Sequence, residues 1–181
     1  MNLKTTIGGI TYQFADLKDL LAKANEEKSG DRLAGLAAET VQERIAAKYV
    51  LSDITLADIR NNPLIAAEAD EVSEIIEMDI NEPIYNEIKN WSVAELREYI
   101  LKNTTGDPEL KRLSRGLTSE MIAAVAKLMS NLDLVHAANK IEIITCCNIS
   151  IGQKGTLASR LQPNHPTDNI DGMIASLKDG L

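Results

Sequence analysis

Between residues 16 and 140 the apolar side chains recur at steps of three and four, and that spacing commits most of the chain to helices packed on one another. The strongest run follows Gly116, where Met121, Ile122, Val125, Leu128, Met129 and Leu132 succeed one another in helical steps. In "WSVAELREYILK", Ser92 stands three residues ahead of Glu95, the pattern of a reciprocal N-terminal cap, and Val93, Leu96 and Ile100 supply the apolar face. Thr55 caps a short helix that Asn61-Asn62-Pro63 stops. Residues 16–29 predict a helix with Asp16 as its cap and Gly30 just past its end. Residues 31–51 predict a longer helix carrying a fourfold-spaced row of Leu33, Ala37, Val41, Ile45 and Tyr49, and its many alanines suggest close packing against a neighbouring helix. Residues 64–90 are expected to be helical with a break at Asn81-Glu82-Pro83, and "TTGDPEL" is expected to be a turn. With one Trp, four Tyr and one Phe, the core must rest on aliphatic residues, which favour helices.

The two ends have a different texture. "TTIGGITYQF" alternates and predicts a hairpin with Gly8-Gly9 as its two-residue turn. After Lys140, "IEIITCCNISIG" is β-branched and strand-like, "QKG" turns, "TLASRLQ" is extended, and residues 166–181 predict a helix. The expected fold is therefore mostly α. An N-terminal helical domain with a β-hairpin covers residues 1–140, and residues 141–181 form a strand–loop–helix, half of a βαβ unit.

The net charge of −8 and pI near 4.8 exclude a nucleic-acid or anionic-membrane surface, both of which need a basic footprint. No apolar run has the length of a membrane span, and "MNLKTTIGG" lacks the layout of a signal peptide. Adjacent Cys146 and Cys147 are expected to be small buried thiols of a reduced cytoplasmic protein. His136 and His165 have no further ligands at metal spacing, so no metal site is expected. "GQKG" reads as a plain turn, "SEIIEMDINE" as a solvated helix face, and no Ser/His/Asp or Cys/His arrangement is visible.

One segment could carry chemistry. In residues 156–164 one parity holds Thr156, Ala158, Arg160, Gln162 and Asn164, and the other holds Leu157, Ser159, Leu161 and Pro163. On a strand the polar set would share one face. Arg160 offers a fixed cation with five donors, and Gln162 offers both donor and acceptor. Spacing alone fits either a cavity wall or a solvated edge strand.

The stretches "SGDRLAG", "ADIRNNP", "YNEIKNWS", "ELREYIL", "GLTSEMIAAVAK" and "GTLASRLQPN" together resemble the N-terminal part of the large subunit of ethanolamine ammonia-lyase. That resemblance implies an adenosylcobalamin-dependent radical conversion of ethanolamine to acetaldehyde and ammonia. It implies a TIM-type β/α barrel after the helical domain, a small-subunit partner, a homo-oligomer of large subunits, and a cytoplasmic location associated with a bacterial microcompartment. In the family's "RLQPN" motif the Arg binds the substrate hydroxyl and the Gln helps hold the amino end, positions that are Arg160 and Gln162 here. No residue of this chain is assigned to cobalamin or to a metal. A full barrel takes roughly 250 residues, so residues 141–181 would be its first β/α unit only, a truncated barrel without the cofactor site. The chain by itself is then expected to be inactive and not to bind the cofactor. The other expectation for the isolated 181 residues is a non-catalytic helical module for assembly or interaction.

Overall fold

The computed structural model describes residues 1–146, 149–162 and 169–180. It falls into two units, residues 1–141 and 142–181. The first opens with β1 (Lys4–Ile7) and β2 (Ile10–Gln13), antiparallel, with Lys4 opposite Gln13 and Ile7 opposite Ile10. Gly8 and Gly9 have φ of 58° and 82°, the left-handed pair that a tight hairpin turn of this twist demands.

Ten helices follow in this unit: α1 (Leu17–Lys23), α2 (Ser29–Leu33), α3 (Val41–Asp53), α4 (Leu56–Asn61), α5 (Glu71–Met78), α6 (Glu82–Ile88), α7 (Val93–Leu101), α8 (Asp107–Ser114), α9 (Ser119–Leu128) and α10 (Asn131–Lys140). A 3-10 turn at Ala67–Ala69 precedes α5. The helices are short, so few of their backbone groups lie beyond the reach of a cap. Asp16, Thr40, Thr55, Asp70, Asn81, Ser92, Thr118 and Ser130 each accept a first-turn N–H with a side-chain oxygen. Thr55 with Asp58, Ser92 with Glu95, and Ser130 with Asp133 make the bond reciprocal.

The core is aliphatic, with Leu20, Leu51, Leu56, Ile59, Val93, Leu96 and Met121 fully buried. Each such side chain contributes roughly 1.5–3 kcal/mol by leaving water. Helix α3 packs against α1, α7, α9 and both strands of the hairpin. Gly116 is required by a close approach, since an added Cβ would lie 2.8 Å from both the Ile84 Cγ2 and the Tyr85 backbone nitrogen of α6.

Several sequence expectations need correction. The first helix stops at Lys23, and Gly30 lies inside α2 rather than beyond α1. The predicted helix over residues 31–51 is broken: Gly35 takes φ of 69°, and α3 starts afresh from its Thr40 cap. Of the fourfold-spaced row, Leu33, Val41, Ile45 and Tyr49 are exposed, while Ala46, Ala47, Val50 and Leu51 are buried. Small alanines let neighbouring backbones approach closely, and that face wins over the bulkier row. "TTGDPEL" is not all turn, because α8 begins at Asp107 with Pro108 in its first turn and Glu109 accepting from the Gly106 N–H at 3.0 Å. The long helix after Gly116 is two helices, parted where Ser130 caps α10, and Leu132 is exposed.

In the second unit, β3 (Thr145–Cys146) and β4 (Ser150–Ile151) pair antiparallel, and α11 (Ile170–Gly180) follows. The protein is mostly helical with an N-terminal β-hairpin, as expected. No parallel strand opens a βαβ unit among the described residues. Residues 156–162, expected to be extended, join no ladder among the described residues. Cys146 is exposed, with its sulfur 3.1 Å from Ser150 Oγ, and so is not the buried thiol expected. Cys147 lies outside the described residues.

Asp133 predicts a pH dependence. Its carboxylate accepts from the Ser130 backbone N–H at 3.0 Å and from Arg97 of α7 at 2.8 Å, which together hold its pKa at about 2. The unfolded value is near 3.9. A depressed folded value stabilises the fold above the unfolded pKa, and that contribution disappears as pH falls toward the folded one. Asp133→Ala should therefore lower the urea midpoint by a constant amount above about pH 5, with the gap to wild type closing between about pH 4 and 2. A gap that stays constant down to the acid limit would contradict this assignment.

Candidate functional site

Arg160 and Gln162 both lie in the irregular, exposed segment 156–162 of the second unit. Leu157 and Leu161, on the opposite parity, are also exposed, so the described chain does not separate a polar from an apolar face here. Asn164, the third polar residue of the pattern, and His165 lie outside the described residues. Among the described residues no group of His, Cys, Asp and Glu is placed to hold a metal ion. The Nε2 of His136, on α10, meets the Leu101 carbonyl at 3.2 Å, a bond that joins α10 to the end of α7.

The first unit holds a charged cluster that spacing did not reveal. Arg60, near the end of α4, donates from Nε to Glu77 of α5 at 2.8 Å and from Nη1 to Glu82 of α6 at 3.1 Å. Its guanidinium carbon lies 4.2 Å from the centre of the Tyr85 ring. The two carboxylates raise the Arg60 pKa further above its already high value, and Arg60 in turn lowers that of Glu82. Glu77 and Glu82 read in sequence as two of many acids. They converge because the break between α5 and α6 folds the chain back on α4. The one available signal was the run "ADIRNNP", which marks Arg60 without stating its role.

Beside this cluster lies a cavity of about 210 Å³ whose lining includes Arg60, Ile65, Ala66, Ile76, Glu77 and Glu120. Arg60 is not a free cation at its wall, since both edges of the guanidinium are spent on carboxylates. Its task is to join α4, α5 and α6.

The family model for "Ethanolamine ammonia lyase large subunit (EutB)" matches residues 12–181. The chain belongs to the ethanolamine ammonia-lyase large-subunit family. It is 53% identical over all 181 residues to the ethanolamine ammonia-lyase large subunit of Escherichia coli strain K12 and 52% identical to that of Salmonella typhimurium. In each case the chain spans about 40% of the relative's length. No described helix is long and apolar enough to cross a membrane.

Five cavities among the described residues of the first unit are each too small for a corrin. Their volumes run from about 210 to 490 Å³. Drug-sized ligands already fill roughly 300–1,000 Å³, and adenosylcobalamin is larger. These residues by themselves therefore form no cradle for it.

Arg60→Met should lower the melting temperature by a few degrees, because it leaves Glu77 and Glu82 facing each other without a cation. Arg112→Met breaks an ion pair with Glu87 in which both partners are exposed, and should leave the melting temperature nearly unchanged. Equal shifts in thermal unfolding would show that the Arg60 cluster is no more than surface pairing.

Proposed function

We propose that the chain is the N-terminal portion of a large subunit that converts ethanolamine to acetaldehyde and ammonia, and that Arg160 and Gln162 supply part of its substrate site. The observation that carries this reading is the 53% identity over all 181 residues, a span that includes "RLQPN". In this reading residues 1–140 are the helical domain, and residues 141–181 open the TIM-type barrel. Adenosylcobalamin is the cofactor of the assembled enzyme and supplies its radical chemistry. The partners are a small subunit and further large subunits, and the location is cytoplasmic, associated with a bacterial microcompartment.

Each role follows from side-chain chemistry. The Arg160 guanidinium is always charged, so it can bind the substrate hydroxyl oxygen and stabilise negative charge there without exchanging a proton. The Gln162 amide accepts from the substrate ammonium through its oxygen and does not titrate, so it fixes orientation without competing for protons. Both effects need water excluded, because a cation–dipole contact weakens severalfold in a high-dielectric surround. In the described chain both side chains stand in solvent. The barrel and its partners would supply the enclosure.

Arg160→Ala in the assembled enzyme should reduce turnover of ethanolamine by roughly 10²–10³-fold, the scale for losing one preorganised charge donor. Its melting temperature should hold, since in this reading the side chain serves the substrate and supports no core. Near-normal ammonia production would defeat the assignment of Arg160. The 181-residue chain alone, mixed with adenosylcobalamin and ethanolamine, should release no ammonia above a no-protein control, because its substrate groups are hydrated. Sustained ammonia release by the purified chain would show that enclosure by other parts is unnecessary.

A further inference from the structure

Helix α5 buries none of its residues, and it turns three large apolar side chains to solvent beside a cavity. Val72, Ile75 and Met78 succeed one another at steps of three and are 63%, 65% and 78% exposed. Ile76, four residues on from Val72, continues this stripe round the helix and lines the cavity beside Arg60. The apolar surface therefore runs from the outside of α5 into a hollow, where Ile65 and Ala66 extend it.

The charge around this surface is predominantly negative. Residues 61–88 contain eight carboxylates and no Lys or Arg, a local excess as large as the net charge of the entire chain, −8. The cavity lining has three carboxylates, Glu68, Glu77 and Glu120, against the single guanidinium of Arg60, which also serves Glu82. One Glu120 oxygen accepts the Leu64 N–H at 3.0 Å, which fixes that carboxylate at the cavity. A hollow with aliphatic lining and surplus negative charge matches a side chain with an apolar stem and a cationic head.

We propose that α5 and the adjoining cavity form a docking surface for a basic, apolar-faced polypeptide segment. The partner's apolar side chains cover Val72, Ile75 and Met78, and one of its Lys or Arg side chains enters the cavity, placing its charge among Glu68, Glu77 and Glu120. A second copy of the chain is disfavoured as occupant, because two such acidic faces would repel one another. Nucleic acid and anionic lipid are repelled by the same charge. The inference stands independently of the catalytic reading, since it uses no residue assigned to the substrate.

The test is a calorimetric titration of the 181-residue chain with a synthetic amphipathic helix of leucine and lysine, and with its leucine–glutamate counterpart. The lysine peptide should bind one per chain and weaken as salt rises, and the glutamate peptide should not bind. Ile75→Ser with Met78→Ser, both exposed, should weaken binding by about tenfold or more. Glu68→Gln, outside any helix core, should weaken it separately and flatten the salt dependence. No binding to the wild-type chain, or equal binding to both variants, would overturn the proposal, the latter marking mere attraction to an acidic protein. Sedimentation that finds a wild-type dimer, abolished by Ile75→Ser with Met78→Ser, would overturn it in favour of a second copy.

Discussion

The start of α4 and the start of α7 are held together by their backbones, and the arrangement of the first unit depends on that junction. A helix leaves its first N–H groups without partners inside itself. Here the N–H groups of Leu56 and Ala57 donate to the carbonyls of Trp91 and Lys89 at 2.9 and 2.8 Å, and the Val93 N–H donates to Ile54 at 2.9 Å. Thr55 and Ser92, the two caps, are directly bridged. Each helix thus meets part of its terminal demand from the segment that introduces the other. The junction sets Leu51, Leu56, Val93 and Leu96 in one cluster, around which α1, α3 and α9 close.

A core built on such short helices tolerates little misplacement, because none of them is long enough to be stable alone. Bonds between helices therefore carry much of the architecture. Lys23 of α1 reaches Glu43 of α3 at 2.7 Å, Lys127 of α9 reaches Asn25 at 2.6 Å, and Arg97 of α7 reaches Asp133 of α10. Arg60 does the same for α4, α5 and α6. Its likeness to Arg160 ends at residue type: a guanidinium clasped by two carboxylates and a tyrosine ring is an internal tie.

The two units also differ in kind. Among the described residues, every buried core residue belongs to the first unit, whereas those of the second are almost wholly exposed. A segment of this size seldom hides enough apolar surface to be stable without added support. The exposed Ile170, Ile174 and Leu177 of α11 form a one-sided stripe of the sort a helix presents to a sheet. This agrees with a proposed role in which Arg160 and Gln162 act only once enclosed.

Much of the first unit was legible locally. The Gly8-Gly9 hairpin, the Asp16 and Thr55 caps, and the Ser92–Glu95 box depend on residues only a few positions apart, so the sequence by itself determined them. The family, too, was readable in runs such as "ADIRNNP" and "RLQPN". The alanines of α3 pointed to close packing, but which face turns inward, Ala46 and Ala47 rather than Val41, Ile45 and Tyr49, was not legible, because periodicity offers two apolar faces and only the neighbouring helices choose between them. Glu77 and Glu82 meeting at Arg60 was equally hidden, since their approach depends on how the chain turns between α5 and α6. Hydrogen bonds that close within a turn are written in the order of residues. Contacts between distant helices are decided by which surfaces can approach closely enough to expel water, and only the tertiary structure decided those.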